Sequence, residues 1–223
     1  MPKHWKCWAE YLRHIPVWCK RFKYRRCWRI HSPFAYRFVR EVIFATTADK
    51  TCLTTAQHMA RHTHHDYAWQ RYHRLVYRLA RYQANRQAQR EDTTPLRWVV
   101  ITAHGQSSLI PYLEAAAQAT PTLDINIQCY TPETFVHMAI SMPDLLYIDG
   151  SLMAEHMGLW SLLTTAAPHT LLIIRSIYHT PVETALWQRL EHHSHTILTF
   201  DLYYMGLVLF HQGLSKEAHK LCF

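Results

Sequence analysis

Glycine is scarce in this chain, with only five in 223 residues. Few turns can therefore bring bare backbone against a ligand. No apolar run approaches the roughly 20 residues that a bilayer-spanning helix needs. The longest, Leu202–Phe210 and Leu171–Ile174, have the lengths of strands. The first residues carry charges throughout and have no uninterrupted apolar stretch, so they do not read as a secretory signal. The six cysteines (7, 19, 27, 52, 129 and 222) form no CxxC pair and no metal-ligand spacing. Reduced thiols in a cytoplasmic protein are the plain expectation. No Ser-His-Asp order, GxSxG elbow or GxxxxGK loop is present, which leaves hydrolase and nucleoside-triphosphatase chemistry without support.

Basic residues are lacking mainly in the second part of the chain. Residues 1–97 hold 20 Lys/Arg and 6 Asp/Glu, a formal +14, whereas residues 98–223 hold 4 and 10, a formal −6. The 49% hydrophobic content is enough for a sizeable core. The break in charge predicts two parts, a basic helical region over 1–95 and an acidic α/β domain over 96–223. The two could attract each other, so the basic face need not bind a polyanion.

Within residues 4–28, Trp5, Trp8, Tyr11, Ile15, Trp18 and Phe22 recur at helical spacing, with Lys and Arg between them. Pro16 divides the segment into two short helices. An interfacial helix on an anionic membrane and a nucleic-acid surface with stacked aromatics are two functional readings. The plainer one is an amphipathic helix packed on the domain. Next, Ser32 is a good N-cap and Pro33 a good first helical residue for a helix to about Phe44. A long helix is predicted over about Ala56–Gln89, with Leu75, Val76, Leu79, Ala80 and Tyr82 on its apolar face and several arginines on the rest. His58, His62 and His65 would share one face of it at i, i+4 and i+7. A metal site is one reading of these; in a chain with 18 histidines and no HExxH motif, a solvated His-rich turn is the plainer one, and no metal is expected.

The chain is organised around Trp98–Ser108, WVVITAHGQSS. An apolar run meets a small, polar turn and then an apolar helical pattern. This is the first strand–turn–helix unit of a doubly wound α/β domain, whose turn normally faces a ligand. Further strands are predicted at Asp124–Tyr130, Leu145–Asp149, Thr170–Ile174, Thr196–Leu202 and Met205–Phe210, with helices at Ser107–Ala119, Pro132–Ile140, Ser151–Ala166 and Pro181–His192. The last two strands read as an antiparallel hairpin at one sheet edge. The tail from Gly213 reads as a short helix or an extended arm.

Three short motifs occur in order: His31-Ser32-Pro33-Phe34, Tyr147-Ile148-Asp149-Gly150, and Thr199–Phe210 (TFDLYYMGLVLF). Together they resemble a class I S-adenosylmethionine-dependent methyltransferase-like family of Bacteroidetes, with HSPF, FIDG and DLFxMGLVFF-type motifs. The resemblance runs from about residue 30 to the end. It implies a Rossmann-like methyltransferase sheet closed by an antiparallel hairpin and preceded by helices. It also implies S-adenosylmethionine as cofactor, with Thr102, Gly105 and Asp149 at the matching positions, and methyl transfer as the ancestral reaction.

The chain departs from that pattern at the residues that would carry the chemistry. Where the family has an ELGTSxG-type turn, it reads Val99-Val100-Ile101-Thr102-Ala103-His104-Gly105. The carboxylate and first glycine are gone, and a Cβ stands where backbone should approach the ligand. The second strand ends in Gln128-Cys129-Tyr130-Thr131 instead of an acidic residue for the ribose. The stretch from Tyr130 to Leu145 is too short for the usual helix, third strand and loop, so the third strand is expected to be missing. Arg175-Ser176 replaces an acidic pair, and one carboxylate, Asp149, beside Arg175 is a poor site for a hard cation; a salt bridge between them is the plainer expectation.

Three functions follow as expectations. The first is a methyltransferase-like protein with a degraded cofactor site and no methyl transfer. The second is an active methyltransferase with an altered pocket, in which His104 or His179 acts as base. The third is a binding protein whose basic N-terminal region meets an anionic membrane or nucleic acid, cytoplasmic or peripheral to the membrane.

Overall fold

The structure, a computed structural model, describes residues 21–24, 30–45, 54, 67–89, 94–103, 105, 107–137, 142–155, 168–211 and 213–223. The histidines at 58, 62, 64 and 65, His104, and nearly all of the basic aromatic segment over 4–28 lie outside the described residues.

The opening helix starts as its sequence dictates. Ser32 is the N-cap, its hydroxyl accepting from the Ala35 amide at 3.3 Å, and Pro33 stands in the first turn. Helix α1 covers Pro33–Phe38 and continues as a π-helical turn, Val39–Ile43. The 22-residue helix α2, Tyr67–Ala88, follows. The alternating units are then β1 Leu96–Ile101, α3 Ile110–Gln118, β2 Ile125–Tyr130, α4 Pro132–His137, β3 Leu145–Asp149, α5 Gly150–Glu155, β4 Leu171–Arg175 and α6 Pro181–His192. Helix α6 opens with a capping box, in which the Thr180 side chain accepts from the Glu183 amide and the Glu183 carboxylate accepts from the Thr180 amide. Strands β5 Leu198–Asp201, β6 Met205–Leu209 and β7 Glu217–Lys220 close the chain.

These strands form one seven-stranded sheet in the order β2-β1-β3-β4-β6-β5-β7. All run parallel except β6, which is antiparallel to β4 and β5. Alternate side chains go to opposite faces, and each face has its own core. Trp98, Val100, Tyr147, Ile173 and Phe200 lie on the face covered by α1, α2 and α3. Val99, Ile101, Ile148, Ile174 and Val208 face α4, α5 and α6, through Phe135, Met153 and Trp187. The result is a Rossmann-like three-layer α/β fold with β2 at one edge, and among the described residues no strand lies beyond β2. The expected absence of the third strand agrees with that order.

Two features differ from expectation. The hairpin β5–β6 is antiparallel, but it does not end the sheet. The polar tail adds β7 in parallel beside β5, with Asp201 opposite Lys220. Alternation in β7 is only half-buried against exposed, as fits an edge strand, which is why the tail carries no strand-like apolar run.

Much of the positive charge on α2 is used internally. Arg78 donates to the carbonyl oxygens of Val42 and Ile43 at 2.8 and 2.9 Å, which caps the end of the π-helical turn. Arg71 lies over the ring of Phe223, 4.4 Å from its centroid. Gln83 on the same helix donates to the Asp144 and His169 carbonyls at 2.7 and 2.8 Å, where β3 and β4 begin. That fixes the far end of α2 at the amino-terminal edge of the sheet and leaves His73 near the carboxyl-terminal edge. Among the described residues, no helix is long and apolar enough to cross a membrane.

Candidate functional site

In a sheet of this order the chain reverses direction between β1 and β3. Ligands of open α/β sheets bind outside the carboxyl ends of strands at such a switch point. A cleft of about 260 Å³ opens there, lined by Thr102 and Ala103 after β1, Tyr147 and Asp149 of β3, Ser151 and Leu152 of α5, and Arg175 of β4. His73 of α2 and Ser107, Ser108 and Leu109 before α3 complete the lining. The volume is just below the roughly 300–1,000 Å³ usual for small-molecule sites.

Asp149 is the one carboxylate among these residues, and both of its oxygens are engaged. Oδ1 accepts from the Ser151 hydroxyl at 3.2 Å and the Ser151 amide at 3.4 Å. Oδ2 faces the Arg175 guanidinium at 3.5 Å. The strand register sets this pair, since Asp149 and Arg175 are opposite each other in neighbouring parallel strands. Tyr147, buried on the same strand, has its hydroxyl pKa raised by burial and by Asp149, with Arg175 opposing. Its phenol is neutral at physiological pH.

The other predicted site residues occupy different surroundings. Thr102 is half-buried at the end of β1, its hydroxyl 3.8 Å from the Cys129 sulfur and its amide donating to the Tyr130 carbonyl at 3.0 Å. Gly105 has φ +63°, a left-handed conformation that accounts for glycine here. His179 is exposed in the turn between β4 and α6, its amide donating to the Ser176 carbonyl at 3.2 Å, and it is not among the cleft-lining residues. Thr102 and Asp149 thus meet in one cleft and His179 stands apart from it.

His73 is the lining residue that sequence reading passed over. It is buried, with its ring 5.2 Å from that of Tyr112. The signal was available: residues 73, 76 and 80 stand at i, i+3 and i+7, so His73 shares the apolar face of α2.

Among the described residues the cleft holds no second carboxylate at the ends of β1 or β2, and it carries a guanidinium among its lining groups. Among the described residues no group of three or more His, Cys, Asp or Glu is placed to hold a metal ion.

No protein-family model and no curated protein sequence matches this chain. Solved structures that it is similar to include a Corynebacterium glutamicum protein, at 10% identity and a TM-score of 0.44, covering 81% of this chain and 98% of that one. An SAH-bound methyltransferase of Podospora anserina has 7% identity and a TM-score of 0.43, covering 81% and 96%. An O-methyltransferase of Bacillus cereus in complex with SAH has 10% identity and a TM-score of 0.40, covering 78% and 96%.

Proposed function

We propose that this is a methyltransferase-like protein whose cofactor site is degraded and which transfers no methyl group. The observation that carries the reading is the state of Asp149. S-adenosylmethionine brings a sulfonium and an ammonium group against one carboxylate, a net positive charge, to a site of this kind. The one carboxylate of the cleft is already matched by Arg175 and Ser151. A cationic ligand would have to break that pair and lie beside a guanidinium, with no new hydrogen-bond acceptor of full charge to compensate. Ala103 and the modest cleft volume act in the same direction. The residues present therefore fit the cofactor poorly.

Calorimetric titration of the folded protein with S-adenosylmethionine and S-adenosylhomocysteine, up to millimolar ligand, tests this directly. Absence of heat with both ligands is the expected result. Saturable binding at micromolar concentration overturns it.

A second reading draws on the formal +14 of residues 1–97. It makes the protein a partner of an anionic membrane or nucleic acid through its basic region. Binding of phosphates would weaken steeply as salt rises, whereas insertion of tryptophans into a membrane would persist in part.

A further inference from the structure

Outside the cleft, one charged cluster on the carboxyl-terminal edge of the sheet is built around Asp201, the last residue of β5. Its side chain is fully buried. Oδ1 accepts from the Tyr203 amide at 2.9 Å, and Oδ2 accepts from the Tyr178 hydroxyl at 2.6 Å. Both partners are neutral, and a buried carboxylate needs a cation as well. The cation present is Arg21, 180 residues earlier in the chain. Its Nη2 donates to Asp201 Oδ2 at 2.7 Å, and its Nη1 reaches the carbonyl oxygens of Asp201 and Leu221, both at 3.3 Å.

The guanidinium also lies over two aromatic faces. Its central carbon is 5.4 Å from the Tyr178 centroid and 5.1 Å from that of Tyr203. The two rings are themselves stacked, 5.6 Å apart at 26°. A buried carboxylate, two carbonyl oxygens (that of Asp201 also accepting from the Leu221 amide at 2.8 Å) and a pair of tyrosine faces match a planar group with several donors in one plane and a weakly hydrated face. An ammonium, a compact and strongly hydrated charge, could not serve the carbonyls and both rings at once. Tyr203 holds its place with φ +77°, and Ser176, two residues before Tyr178, has φ +61°. Two non-glycine residues in the left-handed region flank the cluster, which is the kind of backbone strain that collects around binding sites.

We propose that Asp201, Tyr178 and Tyr203 form a recognition site for an alkylguanidinium group, occupied in cis by Arg21. The same site takes a free alkylguanidinium when Arg21 is not in it. It is separate from the Asp149 cleft and does not depend on whether that cleft binds a nucleoside.

The test is chemical rescue with methylguanidine on the full chain. Thermal unfolding of the wild type, Arg21→Ala and Arg21→Ala/Asp201→Asn is followed from zero to 20 mM methylguanidine, roughly, far below denaturing concentrations. Arg21→Ala should melt lower than the wild type and regain stability saturably, by about 3–6 °C at ten times the dissociation constant. The wild type, with the site filled, and the double variant, without the carboxylate, should show no saturable rise. Methylammonium at the same concentrations should rescue less than methylguanidine. Should Arg21→Ala fail to fold, Arg21→Gln, which keeps part of the aliphatic stem and loses the charge, is titrated in its place. A flat response in the singly substituted protein, or an equal one in all three, overturns the proposal and leaves Arg21 a structural tie only.

Discussion

Gly206→Ala gives a steric test of the packing beneath the carboxyl-terminal edge. Gly206 is on β6 opposite Ile174, the residue before Arg175. A Cβ added there would stand 2.6 Å from Cη2 and 2.8 Å from Cε3 of Trp187, with Cζ3 nearer still. Trp187 is 1% exposed and enclosed with Ile174, Leu190 and Val208, so its ring has no solvent to swing into. Overpacking of this kind costs about 1–3 kcal/mol. In a chain of this length each kcal/mol moves Tm by about 2–4 °C, which gives an expected fall of about 2–12 °C. The mechanism is specific to one pair of residues, so a smaller ring should relieve it. Trp187→Phe alone costs stability by leaving a cavity. Combined with Gly206→Ala, it should cost less than the two changes added, by about 0.5–3 kcal/mol. Circular-dichroism melts of the four proteins suffice. A Gly206→Ala protein that melts with the wild type, or a strictly additive double variant, would refute the packing argument.

Two further outcomes follow from the same edge. Gly150→Ala would place a Cβ 2.8 Å from the Arg175 carbonyl oxygen, which is backbone and cannot rotate away, whereas a Cβ at Gly105 meets, among the described residues, Thr131 at 4.0 Å and chiefly pays for its φ of +63°. The first should lower Tm more than the second; equal shifts would show that the end of β4 yields easily. Glu191, at the end of α6, has its carboxyl pKa raised by burial and then by the charge of Asp201. The folded state therefore holds this proton more tightly than the unfolded one, and stability falls as pH rises from the ordinary glutamate range through the raised value. Glu191→Gln should stabilise the protein at neutral pH and lose that advantage below about pH 3, where the Glu191 carboxyl is protonated in the folded and unfolded states alike. A benefit that persists unchanged in acid would count against the assignment.

Local features of this fold were written plainly in the sequence. Ser32-Pro33 starts α1 and Thr180-Pro181 starts α6, because caps and proline act through their immediate neighbours. The apolar run Leu145–Asp149 gave its strand to the residue, since both sheet faces are covered there. The pairing of Asp149 with Arg175 was also readable, once the two were placed at the ends of adjacent strands. What escaped depends on distant partners. Glu217–Lys220 becomes a strand only because β5 offers a free edge. His73 enters the cleft through the position of α2 on the sheet, and nothing near Arg21 in sequence points to Asp201.

The clasp around β5 also bears on how the chain is made. Arg21 bonds to Leu221, 200 residues later, and Phe223 packs on Phe44 and Tyr72 from the first part of the chain. During vectorial synthesis the early helices emerge with apolar faces whose partners have not yet been translated. At the usual elongation rates of about 5–20 residues per second, that exposure lasts on the order of 10 s or more. Cellular holdases that cover apolar surface would meet this protein chiefly in that interval, and a ribosome stalled before Leu221 would display a nascent chain that cannot complete the clasp around β5.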